Sequence, residues 1–260
     1  MHAPSPPAAL SELPRIAGDV LARIRARQPR VHCITNTVVQ GLTANVLLAV
    51  GAVPSMTTSP DEIEYFVADA DALLVNLGTS NAECRGAVEV ALEVAGEKGI
   101  PWLLDPVFID RSQPRAAYAF GLAKRKPKVV RANEVEFETL TGGKDAKSLD
   151  RFALEYSTVA ARTGLVDLVT DGKKRVTIGN GHPLMPKVTG IGCAESALIL
   201  ALLGVEKDAF LAASAGLLIM GIAGEIAAEK AAGPGSFAVG FIDSLSALGA
   251  EQLSARAKVS

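Results

Sequence analysis

Six short, largely apolar runs recur along the first two thirds of the chain: "RVHCI" at 30–34, "ALLVNL" at 72–77, "PWLLD" at 101–105, "KVVRA" at 128–132, "TVAAR" at 158–162 and "DLVTD" at 167–171. Between several of them lie longer stretches of helical character, "TANVLLAVGA", "AVEVALEVAGEKG" and "NEVEFETLTG". Strands that are apolar throughout, rather than at every second residue, must be covered on both faces. Separated by helices, they imply an α/β fold with a central, mostly parallel sheet and helices on both sides. From residue 190 onward the pattern becomes helical almost to the end, and those helices are expected to cover one face of the sheet. No repeat, long linker or low-complexity block interrupts the pattern, so one domain over residues 1–260 is expected, with residues 1–10 as a frayed tail.

In such sheets ligands bind beyond the carboxyl ends of the strands. The polar ends therefore carry the functional argument: "ITN" at 34–36, "NLGTS" at 76–80, "DPV" at 105–107, "RANEVE" at 131–136 and "RTG" at 162–164. Together with "VTGIGC" at 188–193 they are candidates for a single crevice. Gly190 and Gly192 lead into "AESALILALL" and would present free N–H groups at a helix start, where anions are favoured. The loop lacks the GK[ST] ending of a Walker A motif. Cys193 falls in the first turn of that helix. Local positive potential there is expected to lower its pKa. It could accept a proton from an alcohol, or simply fill a gap. Asp105 and Glu136 are oxygen donors of the kind that hold Mg²⁺ beside phosphate. Arg131 is a candidate phosphate clamp. Each also has an ordinary reading as a turn, a helix cap or a surface charge.

Composition removes other classes. A net charge of −2, a pI near 6.0 and 5% aromatic residues give no surface for nucleic acid or an anionic membrane. The most apolar segment, "AFLAASAGLLIMGIAG" at 209–224, is rich in Ala and Gly and reads as a packed core helix. Three sparse cysteines, Cys33, Cys84 and Cys193, show no metal spacing and suggest a reducing, cytoplasmic setting. His32 and Cys33 are neighbours in a strand and must point to opposite faces. His32 reads as a hydrogen-bonded core residue, Cys84 as packing and His182 as a turn residue.

Read in order, these motifs resemble the hydroxyethylthiazole kinases of thiamine salvage, within the ribokinase-like superfamily. The resemblance runs from "VHCITNTVVQGLTANVLLAVGAVPSM" through "ALLVNLGTS", "LLDPV", "RTGLVDLVTDG" and "GNGHPLMPKVTGIGC" to "GPGSFAVGFID", nearly the whole chain. It implies a ribokinase-like three-layer sandwich and transfer of the ATP γ-phosphate to the primary hydroxyl of 4-methyl-5-(2-hydroxyethyl)thiazole. By motif, Met56, Asn36, Asn76 and Gly190 would face the thiazole alcohol. Arg131 and Thr163 would contact ATP phosphates, Asp105 and Glu136 would belong to the Mg²⁺ region, and Cys193 would stand where related kinases carry an aspartate base. Gly190 and Gly192 would complete the catalytic loop. The family also implies a homotrimer with shared active sites. The segment "FIDRSQPR" after "LLDPV" departs from the family's small residues, and Phe108 and Ile109 are expected to crowd the phosphate loop. That departure keeps two alternatives open: a kinase for another small hydroxyalkyl heterocycle of pyridoxine type, or a silent thiazole or nucleotide binder.

Overall fold

The computed structural model describes residues 12–260; the tail expected at residues 1–10 lies outside the described residues. The described residues begin with helix α1 (Leu13–Arg27) and strand β1 (Arg30–Ile34). There follow α2 (Gln40–Val50), β2 (Val53–Ser55), α3 (Ile63–Ala68), β3 (Ala72–Asn76), α4 (Ala82–Lys98) and β4 (Trp102–Asp105). After a 3-10 turn at Ile109–Arg111 come α5 (Gln113–Ala123), β5 (Val129–Asn133), α6 (Glu134–Thr141), α7 (Ala146–Tyr156), β6 (Val159–Thr163), β7 (Asp167–Thr170) and β8 (Arg175–Ile178). The last third is helical: α8 (Ile191–Leu203), α9 (Ala209–Ala228), α10 (Pro234–Ala247) and α11 (Ala250–Arg256).

The eight strands of the described residues join one sheet in the order β2-β1-β3-β4-β5-β6-β7-β8. The first six run parallel; β7 pairs antiparallel with β6 and β8 antiparallel with β7, so only β7 is reversed. Alternate residues of one strand enter different cores, as the period of two requires. In β3, Ala72 and Leu74 join the core under α1, α2 and α8 to α11, whereas Leu73 and Val75 join the core under α3 to α7. Two cores on one sheet make three layers. The expected helices after residue 190 all lie on the first face, and α9 is its central member. Most of α9 is buried against α1, α8 and α10, so its apolar length serves packing. Each fully buried Leu or Ile there, such as Leu217 and Ile219, contributes about 1.5–3 kcal/mol.

Two strands have no counterpart among the six expected runs. β2 has three residues, one of them Pro54, and survives because it is an edge strand. β8 sits in the polar setting "DGKKRVTIGNG", where only Val176 and Ile178 are fully buried. The helical last third also ends in an isolated bridge between Val259 and Ile178.

The strand order creates the feature that matters for binding. From β1 the chain moves outward to β2 through α2, on the first face. From β3 it moves the other way to β4 through α4, on the second face. The connections leaving β1 and β3 diverge to opposite faces, and a crevice opens between their carboxyl ends. Helix α8 packs over β1, β3 and β4, with its first turn at that crevice.

Candidate active site

The crevice is floored by a chain of buried amides and one carboxylate. Asn36, just beyond β1, donates from Nδ2 to Asn76 Oδ1 at 3.3 Å, and the same Nδ2 lies 3.7 Å from Cys193 Sγ. Asn76, the last residue of β3, donates from its own Nδ2 to Asp105 Oδ2 at 2.8 Å. Ser196, one turn along α8 from Cys193, donates to the same Asp105 oxygen at 2.8 Å. Residues from three strand ends and one helix are therefore cross-linked. Asn36, Asn76, Asp105 and Cys193 converge as the sequence expects, and Ser196 is a member the sequence reading missed. Its spacing of three from Cys193 on one helix was the available signal.

Asp105 is almost fully buried, and its second oxygen, Oδ1, has no hydrogen-bond partner. Burial raises its pKa to about 7; Arg131 counters this and Glu136 adds to it. An unpartnered carboxylate oxygen suits a hard cation that takes its remaining ligands from phosphate and water. Glu136 is differently committed. Its Oε1 accepts the Phe108 N–H at 2.9 Å and its Oε2 the Asn133 N–H at 2.9 Å, closing a capping box at the start of α6. Its charge reaches Asp105, but both oxygens are already engaged. Among the described residues no group of three or more His, Cys, Asp or Glu is arranged to hold a metal by protein ligands alone.

The glycine loop behaves as a helix start with free amides. Gly190 caps α8 at φ +93°, and a Cβ there would meet Val39 at 2.8 Å, so the position needs glycine twice over. Among the described residues, no hydrogen bond uses the N–H of Gly192 or of Cys193. A Cβ on Gly192 would lie 3.0 Å from Arg131 Nη1; the missing side chain makes room for the guanidinium. Amides and guanidinium thus lie side by side.

Arg131 is held there by Glu195, the second functional residue the sequence reading missed. Glu195 Oε2 accepts from Arg131 Nη2 at 2.6 Å and from Nε at 3.1 Å, and both side chains are nearly buried. Burial works against the Arg131 charge, but Glu195, Asp105 and Glu136 outweigh it and keep the group protonated. The signal in the sequence was a lone acid inside "AESALILALL", where a buried charge requires a partner. Asp167 at the start of β7 faces the same region; burial, then the Glu195 charge, raises its pKa.

Cys193 corrects an expectation. Burial, reinforced by the Asp105 charge, pushes the thiol up to about 11 despite its place in the first helical turn. At neutral pH it is a thiol, not a thiolate. Ile109 corrects another. Ile109 turns into the second core, and Phe108 adopts φ +57° and is 58% exposed. Ile109 is thus taken up by the core, whereas Phe108 stays at the surface. Met56 and Thr163 stand apart: Met56 follows β2 and Thr163 ends β6, five strand spacings away, roughly 24 Å. Asp105, Arg131 and Cys193 occupy the ground between them.

Relatives by sequence agree on one family. The description of the hydroxyethylthiazole kinase family matches residues 21–251. The hydroxyethylthiazole kinase of Granulibacter bethesdensis is 42% identical over 243 residues, 88% of this chain and 89% of its own. The solved structure of a hydroxyethylthiazole kinase protein from Pyrococcus horikoshii superposes with a TM-score of 0.91 at 37% identity, covering 95% of this chain and 98% of that one. A ribokinase-like superfamily protein from Enterococcus faecalis shares the fold, with a TM-score of 0.67 at 12% identity over 88% of this chain and 93% of its own. A match across nearly the whole chain, a shared three-layer fold and the crevice at the divergence of β1 and β3 lead to one conclusion: the chain belongs to the hydroxyethylthiazole kinase family.

Proposed function

We propose that this chain transfers the γ-phosphate of ATP to the primary hydroxyl of 4-methyl-5-(2-hydroxyethyl)thiazole, as a step of thiamine salvage. The observation that carries the reading is the placement of unpartnered Gly192 and Cys193 amides beside Arg131, with Asn36 and Cys193 facing the same crevice. The thiazole alcohol occupies the β2, β1 and β3 end, against Met56, Asn36, Asn76 and Gly190. ATP approaches from the β5 and β6 end, by way of Arg131 and Thr163, so donor and acceptor meet under the first turn of α8.

The residues work mainly by positioning and charge. The N–H groups of Gly192 and Cys193 and the free Nη1 edge of Arg131 receive the charge of the moving phosphoryl group. Asn36, fixed by Asn76, orients the crevice side of the acceptor. Asp105, through its unpartnered Oδ1, would hold Mg²⁺, which would supply charge neutralisation for the phosphates of ATP. Cys193, protonated at neutral pH, offers little as a base, and a loose transition state demands little of one. It contributes shape and a polarizable contact next to the acceptor oxygen.

The same reading takes the chain as a cytoplasmic enzyme, in keeping with three free cysteines. It also takes the chain as a homotrimer. The edge strand β2 and α3 supply the support, since Val53, Tyr65 and Phe66 are 47%, 74% and 42% exposed on one side of the molecule. ATP consumption measured with thiazole, pyridoxine and pyrimidine alcohols tests the function. The thiazole alcohol should give the highest kcat/KM by about tenfold or more. Preference for another alcohol, or thiazole binding with no turnover, would contradict it.

A further inference from the structure

His32 is fully buried in β1, directly opposite Ser55 of β2 in the parallel register. Both of its ring nitrogens are engaged. Nδ1 lies 2.8 Å from Ser55 Oγ, and Nε2 lies 3.1 Å from the carbonyl oxygen of Thr57. A carbonyl can only accept, so Nε2 carries the proton and Nδ1 accepts from the Ser55 hydroxyl. Burial holds the ring's pKa down at about 4, so this neutral tautomer persists at neutral pH. Ser55 and Thr57 are the residues immediately before and after Met56. The ring grips the chain on both sides of that methionine, and Phe66 closes against it at 5.8 Å between centroids. The Thr57 hydroxyl donates in turn to Glu62, which fastens the same loop to the start of α3.

A site needed only for packing would be filled by an apolar residue at no hydrogen-bonding cost. An imidazole with both nitrogens spent on residues 55 and 57 fixes the backbone exit from β2 to a particular height. We infer that His32 is a positioning residue for acceptor recognition: it sets the side chain of Met56 against a small, planar, apolar heterocycle. A thioether adapts to many surfaces when its backbone is free, and selects among them only when its backbone is held. This inference rests on the reading of Met56 as part of the acceptor pocket.

Steady-state kinetics of the full chain, with the thiazole alcohol and ATP varied separately, test it. His32→Phe removes both hydrogen bonds, whereas His32→Gln can restore a donor and an acceptor. Met56→Ala serves as the reference for the pocket itself. We expect His32→Phe to raise KM for the thiazole alcohol about tenfold while KM for ATP stays within about twofold, with His32→Gln recovering most of the loss. Its preference for the thiazole alcohol over pyridoxine should narrow by a similar factor. If Met56→Ala raises the acceptor KM and His32→Phe does not, the His32 inference is wrong and the pocket stands. If Met56→Ala also has no effect, the pocket reading fails and takes the inference with it. Should His32→Phe not fold, Ser55→Ala decides by removing one grip: acceptor KM should rise about threefold, and no change overturns the inference.

Discussion

Arg131 and Glu195 form a buried ion pair in which a single carboxylate oxygen takes two guanidinium N–H groups, from Nε and Nη2, and leaves Nη1 beside Gly192. The helix that offers its first amides to the crevice thereby also aims the cation next to them. Removing either partner strands a charge in the interior. Arg131→Met should cost about 3–5 kcal/mol, because Glu195, Asp105 and Glu136 all lose their counter-charge. Glu195→Leu should cost less, since Asp105 and Glu136 still face the guanidinium. The double variant should be more stable than the sum of the two losses allows. Urea unfolding of all four proteins checks this; additivity within about 0.5 kcal/mol would mean that the pair is not coupled.

The raised pKa of Cys193 governs its expected behaviour. With the thiol protonated, Cys193→Ala should keep kcat within about tenfold of the parent, below the 10²–10⁴-fold that a working general base contributes. Cys193→Asp should also turn over. Alkylation by iodoacetamide should stay slow through pH 8 and accelerate only toward the thiol's pKa of about 11. A large loss of kcat in the alanine variant would restore the thiol as a base.

Gly190 offers a sharper structural test. Gly190→Ala places a methyl 2.8 Å from Val39 at φ +93°, which few side chains adopt. It should lower stability by more than about 1 kcal/mol and abolish most turnover. Gly121, with open space around it in α5, is the control, and Gly121→Ala should leave turnover unchanged. Thermal unfolding and kcat of the two variants, read side by side, decide the matter.

The pKa of His32, lowered by burial to about 4, makes a pH-dependent contribution to stability. Below about pH 6.5 the unfolded chain takes up a proton that the folded chain refuses. Stability is therefore complete above pH 6.5 and is lost as pH falls toward 4, by about 3 kcal/mol in all. Asp105, raised to about 7, acts in the opposite sense and loses stability as pH rises across the same range. Comparison with His32→Gln cancels the carboxylates. The parent's stability minus the variant's should shrink as pH drops from 7 to 4, and a constant difference would refute the assignment.

These tests concern residues that were unequally legible in the sequence. The parallel sheet was plain, because strands buried on both faces must be apolar throughout, as the fully buried β3 shows. The crevice was legible too, since Asn36, Asn76 and Asp105 are polar residues at the ends of apolar strands. Glu195 and Ser196 were not, because the helix they lie in reads as a continuous apolar core element and their partners are distant in sequence. The ionisation of Cys193 was misread for a similar reason. Helix position is visible in sequence, but burial beside a carboxylate from β4 is a property of the assembled fold. Ile109 looked obstructive on bulk alone, and only the assembled fold shows that it is buried in the second core.

The central claim is that the free amides of Gly192 and Cys193, together with Arg131 Nη1, receive the transferred phosphoryl group. The most direct measurement is a crystal structure with ADP, aluminium fluoride, Mg²⁺ and the thiazole alcohol. The fluoride group should lie within about 3 Å of both N–H groups, with the alcohol oxygen in line and next to Cys193. A fluoride group bound elsewhere, with those amides facing solvent or covered by protein, would contradict it.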